Sequence, residues 1–251
     1  MGAIPAPLGL FVLLFVPESP YWLATRDKPS STKSRAPMSE LFRPPLLSHT
    51  MMGICLGAIP ILGNWGGANW LVPWAGKVAG EAAQGSAADS SIAVAARAVE
   101  GWTQASKSAG GALGSWLGGW MATLMGRRTS YFLITLCSLA TSMYLFSYLD
   151  PLAPEFLWWV FALGFFGTVY FGWLPLYLPE LFPTRVRSTG SGVTFNFGRI
   201  LSVGGVMGTG ALLRAFAGDY ARVGQITCLV YVLGLVLICF APDTSRRDFG
   251  E

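Results

Sequence analysis

A single histidine, His49, and four scattered cysteines, Cys55, Cys137, Cys228 and Cys239, leave this chain with few groups that make or break bonds. Gly190-Ser191-Gly192 offers a serine, but a nucleophilic serine needs a base, and His49 is the one histidine available. The cysteines form no C-x-x-C pair and fall in apolar runs, which indicates neither a metal site nor a disulfide framework. No G-x-x-x-x-G-K-[ST] phosphate loop occurs. The sequence therefore predicts no enzyme, no metal and no cofactor.

Other work falls to polar side chains set among apolar ones. Arg199 lies inside such a stretch, where an arginine near mid-membrane costs about 2.5–3.5 kcal/mol on insertion scales. Neighbours such as Phe195, Ile200 and Leu201 each return only about 0.3–0.6 kcal/mol, so the guanidinium should face the bundle interior or water. Two uses are open to it, contact with a solute or a bond to carbonyls of a neighbouring helix, and Asn196 lies one turn away. Asn64-Trp65-Gly66-Gly67-Ala68-Asn69-Trp70 sets amides and indoles beside glycines, which suits hydrogen bonding and stacking with a polar solute. Trp65 and Trp70 equally suit the aromatic belt of a bilayer interface.

The elements that must position these residues are membrane spans. Hydrophobic residues make up 53% of the chain and charged ones 12%, about half the charge of an ordinary soluble domain. A helix crosses the hydrocarbon in about 20 residues, because its backbone amides must bond internally there. Apolar segments of suitable length fall near 46–74, 102–124, 130–149, 155–178, 188–213 and 224–241, with a shorter one at 2–16. The expected fold is thus an all-α transmembrane bundle of six full spans over 46–251. Residues 1–20 read as the tail of a truncated span and 21–45 as a polar linker on the cytoplasmic side. An Ala-rich external loop at 75–100 carries Lys77 and Glu81 at i,i+4 spacing, which would extend a helix beyond the membrane.

Alternating the loops puts eleven of the 17 Lys and Arg on one side and five, Lys107 among them, on the other; Arg199 remains within a span. Positive loops stay inside, so a multipass protein of the plasma or inner membrane with a cytoplasmic C-terminus is expected. The net charge of +4 comes without any basic block and speaks against nucleic acid as a partner. In the second full span Gly110, Gly114 and Gly118 form one stripe and Gly111, Ser115 and Gly119 the next, a pattern that lets another backbone approach closely. Pro60, Pro175 and Pro179 are placed to break helices, which is tolerated where backbone lines a cavity.

Three segments resemble the major facilitator superfamily. Pro17-Glu18-Ser19-Pro20-Tyr21-Trp22-Leu23 is similar to the P-E-S-P-R-W-L run after the sixth span of its sugar and organic-ion branches, with Tyr21 in place of Arg. Gly119 through Arg128, including Gly126 and Arg127, looks like the G-x-x-x-D-R-x-G-R-R loop, with Thr123 and Leu124 in place of the Asp and the basic residue. Pro179-Glu180-Leu181-Phe182-Pro183-Thr184-Arg185-Val186-Arg187 is similar to the loop after the tenth span.

The resemblance implies the C-terminal half of a twelve-span secondary transporter that carries a small solute by alternating access. An N-terminal six-span half, or a second copy, would complete it within the lipid bilayer. Glu180, Arg185 and Arg187 would form a cytoplasmic latch, with Gly119, Gly126, Arg127 and Arg128 as further candidates. Phe195-Asn196-Phe197-Gly198-Arg199 is similar to the N-x-G-R pattern of organic-acid branches and suggests an anionic solute. A proton-coupled mechanism would draw its relay carboxylate from the other half, since no Asp or Glu lies deep in a span. The rival expectation is a half-length membrane protein without transport activity, acting as a remnant, regulator or assembly partner.

Overall fold

The computed structural model describes residues 38–84 and 89–244, together with a few positions between 7 and 17. Residues 1–37 and 38–251 form two units. In the first, the rings of Phe11 and Phe15 stack with centroids 4.8 Å apart. Most of the expected truncated span and linker lies outside the described residues; the linker's end, Met38–Phe42, is a 3₁₀ turn.

The second unit is helical, and no strand occurs among the described residues. Its elements are α1 (Leu46–Leu62), α2 (Leu71–Ala83), α3 (Asp89–Met125), α4 (Arg127–Tyr148), α5 (Phe156–Glu180), α6 (Arg187–Ala215), α7 (Tyr220–Thr227) and α8 (Val230–Phe240). α1 runs into α2 through a π-helical turn, Gly63–Gly67, and a 3₁₀ turn, Ala68–Trp70, while α7 and α8 are nearly continuous. The result is six long rods, in the positions where six spans are expected. Four of them are long and apolar enough to cross a membrane: Leu46–Ala83, Arg127–Tyr148, Phe156–Glu180 and Tyr220–Phe240. α3 and α6, of 37 and 29 residues, are long enough but diluted by Gly, Ser and Ala. Those small residues serve packing, as the α3 stripe shows.

The closest helix pairing is between α3 and α5. A Cβ at Gly110, Gly114 or Gly118 would collide with the carbonyl oxygens of Phe161, Phe165 and Val169 in turn. The small-residue stripe thus sets backbone directly against backbone. The Thr168 hydroxyl crosses the seam to the Gly111 carbonyl at 2.8 Å, and Ser106 reaches the Leu157 carbonyl at 2.6 Å.

Where it is described, the loop expected at 75–100 is helical, with α2 continuing to Ala83 and α3 beginning at Asp89. At 37 residues α3 is about 55 Å long, well beyond a hydrocarbon layer of about 30 Å. Lys77 keeps its i,i+4 contact with Glu81 at 3.9 Å and also donates to the Gly218 carbonyl at 3.3 Å.

A column of buried aromatic rings joins α4, α5 and α8. Tyr131 sits 5.3 Å from Tyr170 and 4.8 Å from Trp173, and Trp173 stacks on Tyr177 at 4.5 Å. Each polar tip has a partner, as buried donors require: Tyr170 donates to Thr135 at 2.9 Å and Tyr177 to the Pro242 carbonyl at 3.0 Å. Outward, Trp116, Tyr148, Trp158 and Phe240 are all at least 75% exposed. Aromatic and apolar surface of this kind suits lipid or a second bundle rather than water.

Candidate functional site

The break between α1 and α2 begins with Pro60, three residues before the π turn. Proline has no N–H to give, so the carbonyl four residues earlier, that of Leu56, loses its helical donor. The buried Tyr131 hydroxyl fills the gap, donating to the Leu56 carbonyl at 3.0 Å. At the π turn itself the Thr209 hydroxyl lies 2.9 Å from the Gly66 carbonyl. Side chains from α4 and α6 thus satisfy backbone groups in and beside the distorted segment, the usual way a helix break is tolerated away from water. A Cβ at Gly63 would strike the Tyr231 ring, so glycine there lets α8 close against the turn.

The distortion re-aims Asn64, Trp65 and Asn69 toward α3 and α5, around a cavity of about 420 Å³. α3 contributes Gln104, Lys107, Ser108 and Ser115, and α5 contributes Thr168. Lys107 Nζ donates to Asn69 Oδ1, a direct tie between α3 and the distorted segment. Gln104 Nε2 donates to Ser108 Oγ at 3.0 Å. A π turn at such a place is a frequent mark of a functional site. Asn64, Trp65 and Asn69 are therefore brought together. Trp70 turns away, its ring 6.2 Å from that of Tyr220 and its indole N–H buried without a hydrogen-bond partner.

Lys107 is the residue that sequence reasoning missed. Counted among the outer charges, it instead lies within α3 and lines the cavity. The signal was present: Gln104, Lys107, Ser108, Gly111 and Ser115 recur at three- and four-residue spacing, one polar and small face of a helix.

Asn196 and Arg199 lie elsewhere. Both are exposed on α6 and neither lines the cavity. Asn196 Nδ2 donates to the Gly192 carbonyl at 2.8 Å, and the Arg199 guanidinium stands 5.8 Å from the Phe195 ring centroid. The opposite face of α6 packs on α1, where a Cβ at Gly198 would press on the backbone of Gly57 and Ala58.

The charged loop residues collect where α3 meets α4 and α5 meets α6. Arg127 grips Glu180 with Nε at 3.2 and 3.1 Å from the two carboxylate oxygens and a terminal nitrogen at 2.8 Å from Oε1. Another Arg127 nitrogen caps the Ala122 carbonyl at 2.8 Å, and Thr244 donates to Glu180 Oε2 at 2.6 Å. Glu180 is 7% exposed and Arg127 14%, so this is a buried charge pair with its spare valences filled. Arg127 thus takes its carboxylate from the last residue of α5, where its own motif has Thr123 in place of an acid. Arg185 pairs with Glu40 of the 3₁₀ turn, and that hydrogen bond raises its already high pKa. Arg187 Nε points to the Phe182 carbonyl at 3.4 Å, and Arg128 donates to the Cys239 carbonyl. Gly126 has φ 80°, a region that glycine enters without strain, and it caps α4. Gly119 faces Gly172 in the α3–α5 seam.

No protein-family profile matches the chain. It is 30% identical over 131 residues to a probable 4-methylmuconolactone transporter of Cupriavidus pinatubonensis, covering 51% of this chain and 30% of that protein. It is 31% identical over 128 residues to NiaP, a candidate niacin/nicotinamide transporter of Bacillus subtilis, covering 51% of this chain and 31% of the relative. The inward-open structure of the xylose transporter XylE from E. coli superposes with a TM-score of 0.60 at 20% identity, over 80% of this chain and 49% of that one. The matches thus span about a third of the curated relatives and half of the solved transporter. The chain is therefore similar to transporters over part of their length, and its fold matches about half of the solved one.

Proposed function

We propose that the chain is the C-terminal half of a secondary transporter that moves a small polar or anionic solute across the cell membrane by alternating access. The observation that carries this reading is the cavity between the distorted α1–α2 segment, α3 and α5, lined by two asparagines, a glutamine, a lysine and hydroxyls within an otherwise apolar bundle. Discontinuous helices beside a solute site are a recurrent device of secondary transporters, because freed backbone groups and re-aimed side chains can face the solute. A six-span N-terminal half, or a second copy, closes the other side of the path. The basic loops and the Arg127–Glu180–Thr244 cluster then face the cytoplasm together with the C-terminus. In this reading the cluster holds the ends of α3, α4 and α5 as one body while the halves rock.

Uptake by the full-length protein in proteoliposomes, screened across organic acids and sugars, tests the proposal. Saturable uptake of at least one solute above protein-free liposomes is expected; none across both classes would overturn it.

A further inference from the structure

Lys107 stands apart in its chemistry. An ammonium carries three N–H donors and a full charge, yet its bonded partner is the neutral side chain of Asn69. The ion pairs among the described residues join Lys77 to Glu81, Arg127 to Glu180 and Arg185 to Glu40, and none engages Lys107. Glu100 lies on the same face of α3 but seven residues away, about 10 Å along the axis, with its carboxylate packed over Gly76. A half-buried cation held by one amide is incompletely satisfied, and it lines a cavity large enough for a small organic molecule.

Resting on the transport reading above, we infer that Lys107 is the specificity residue of this cavity and that the solute class is a small organic carboxylate. The carboxylate takes the ammonium from Asn69, and the released amide turns to the solute's remaining polar atoms. Gln104, Ser108, Ser115 and Thr168 supply neutral hydrogen bonds around it, and the exposed Trp65 offers a ring face. Because Asn69 belongs to the 3₁₀ turn beside the π turn, the exchange also unties α3 from the distorted segment. Solute arrival and helix movement are thereby linked through one hydrogen bond.

The experiment uses two matched probe pairs, nicotinate with nicotinamide and benzoate with benzamide. Each pair differs in charge and hardly in shape. Uptake is measured for the full-length wild type, Lys107→Gln and Lys107→Arg in phosphatidylcholine proteoliposomes, which contain no anionic lipid to occupy the site. The expected result is preference of the wild type for the acids, a fall of about tenfold or more in the acid-to-amide ratio for Lys107→Gln, and recovery in Lys107→Arg. A ratio unchanged in a monodisperse Lys107→Gln protein overturns the inference and leaves transport standing, as does wild-type uptake of sugars or amides with no carboxylate accepted. Failure of every solute overturns the transport reading and this inference with it.

Discussion

Tyr131 shows how one hydroxyl supports a helix distortion. Its bond to the Leu56 carbonyl replaces the one Pro60 cannot make. Tyr131→Phe keeps the ring column and removes the donor, leaving a buried carbonyl bare at a cost of about 1–3 kcal/mol. Thermal unfolding in detergent should register that loss, whereas a wild-type midpoint would show the carbonyl satisfied otherwise. Pro60 as a breaking point was legible in the sequence; Tyr131 was not, because the partners are 75 residues apart and only the fold joins them.

The Arg127–Glu180 pair obeys the asymmetry of buried charges. Glu180→Ala strands a guanidinium among apolar neighbours, and breaking one side of such a pair costs about 3–5 kcal/mol. Removing both charges, as in Arg127→Met with Glu180→Leu, should recover most of that stability; a double variant as unstable as the single would refute the pairing energetics. Sequence motifs marked both residues as notable but not as partners. Arg127 lacks the acid of its own motif, and the substitute comes from the last residue of α5, 53 positions on.

At the scale of elements, the α3–α5 seam is the most legible feature, since four-residue glycine spacing needs no tertiary information to be read. Its partner helix and its tolerance are structural findings. Gly114→Ala drives a methyl into the Phe165 carbonyl, whose backbone cannot yield, while Gly119→Ala meets the Gly172 carbonyl at an ordinary 3.6 Å. Gly114→Ala should lower the yield of monodisperse protein severalfold and Gly119→Ala leave it near wild type, as judged by size-exclusion chromatography in detergent. Equal behaviour of the two would contradict the seam as described. The helical state of Leu71–Ala83 and of the start of α3 was less legible, because Ala-rich sequence with scattered charge suits an external loop as well as a helix running past the bilayer. Lys107 was hidden for a different reason: a cation near a span end counts toward one side of the membrane, and only the face of α3 that it occupies places it in the cavity.

For the molecule as a whole, composition and segment length suffice to predict six long rods, because the bilayer imposes length on any chain that crosses it. The cavity was legible only in part. Asn64, Trp65 and Asn69 stand out as polar residues in an apolar run, but their convergence on α3 depends on a π turn that no local pattern announces. Arg199, the most conspicuous charge in the sequence, sits on another face.

The transmembrane arrangement is tested most directly across α5, which lies between Leu152 and Thr184, both exposed. With the four native cysteines replaced, single cysteines at these two positions are treated in intact cells with a membrane-impermeant maleimide. The predicted result is labelling at 152 from outside and labelling at 184 only after permeabilisation. Labelling of both positions from the same side would contradict it.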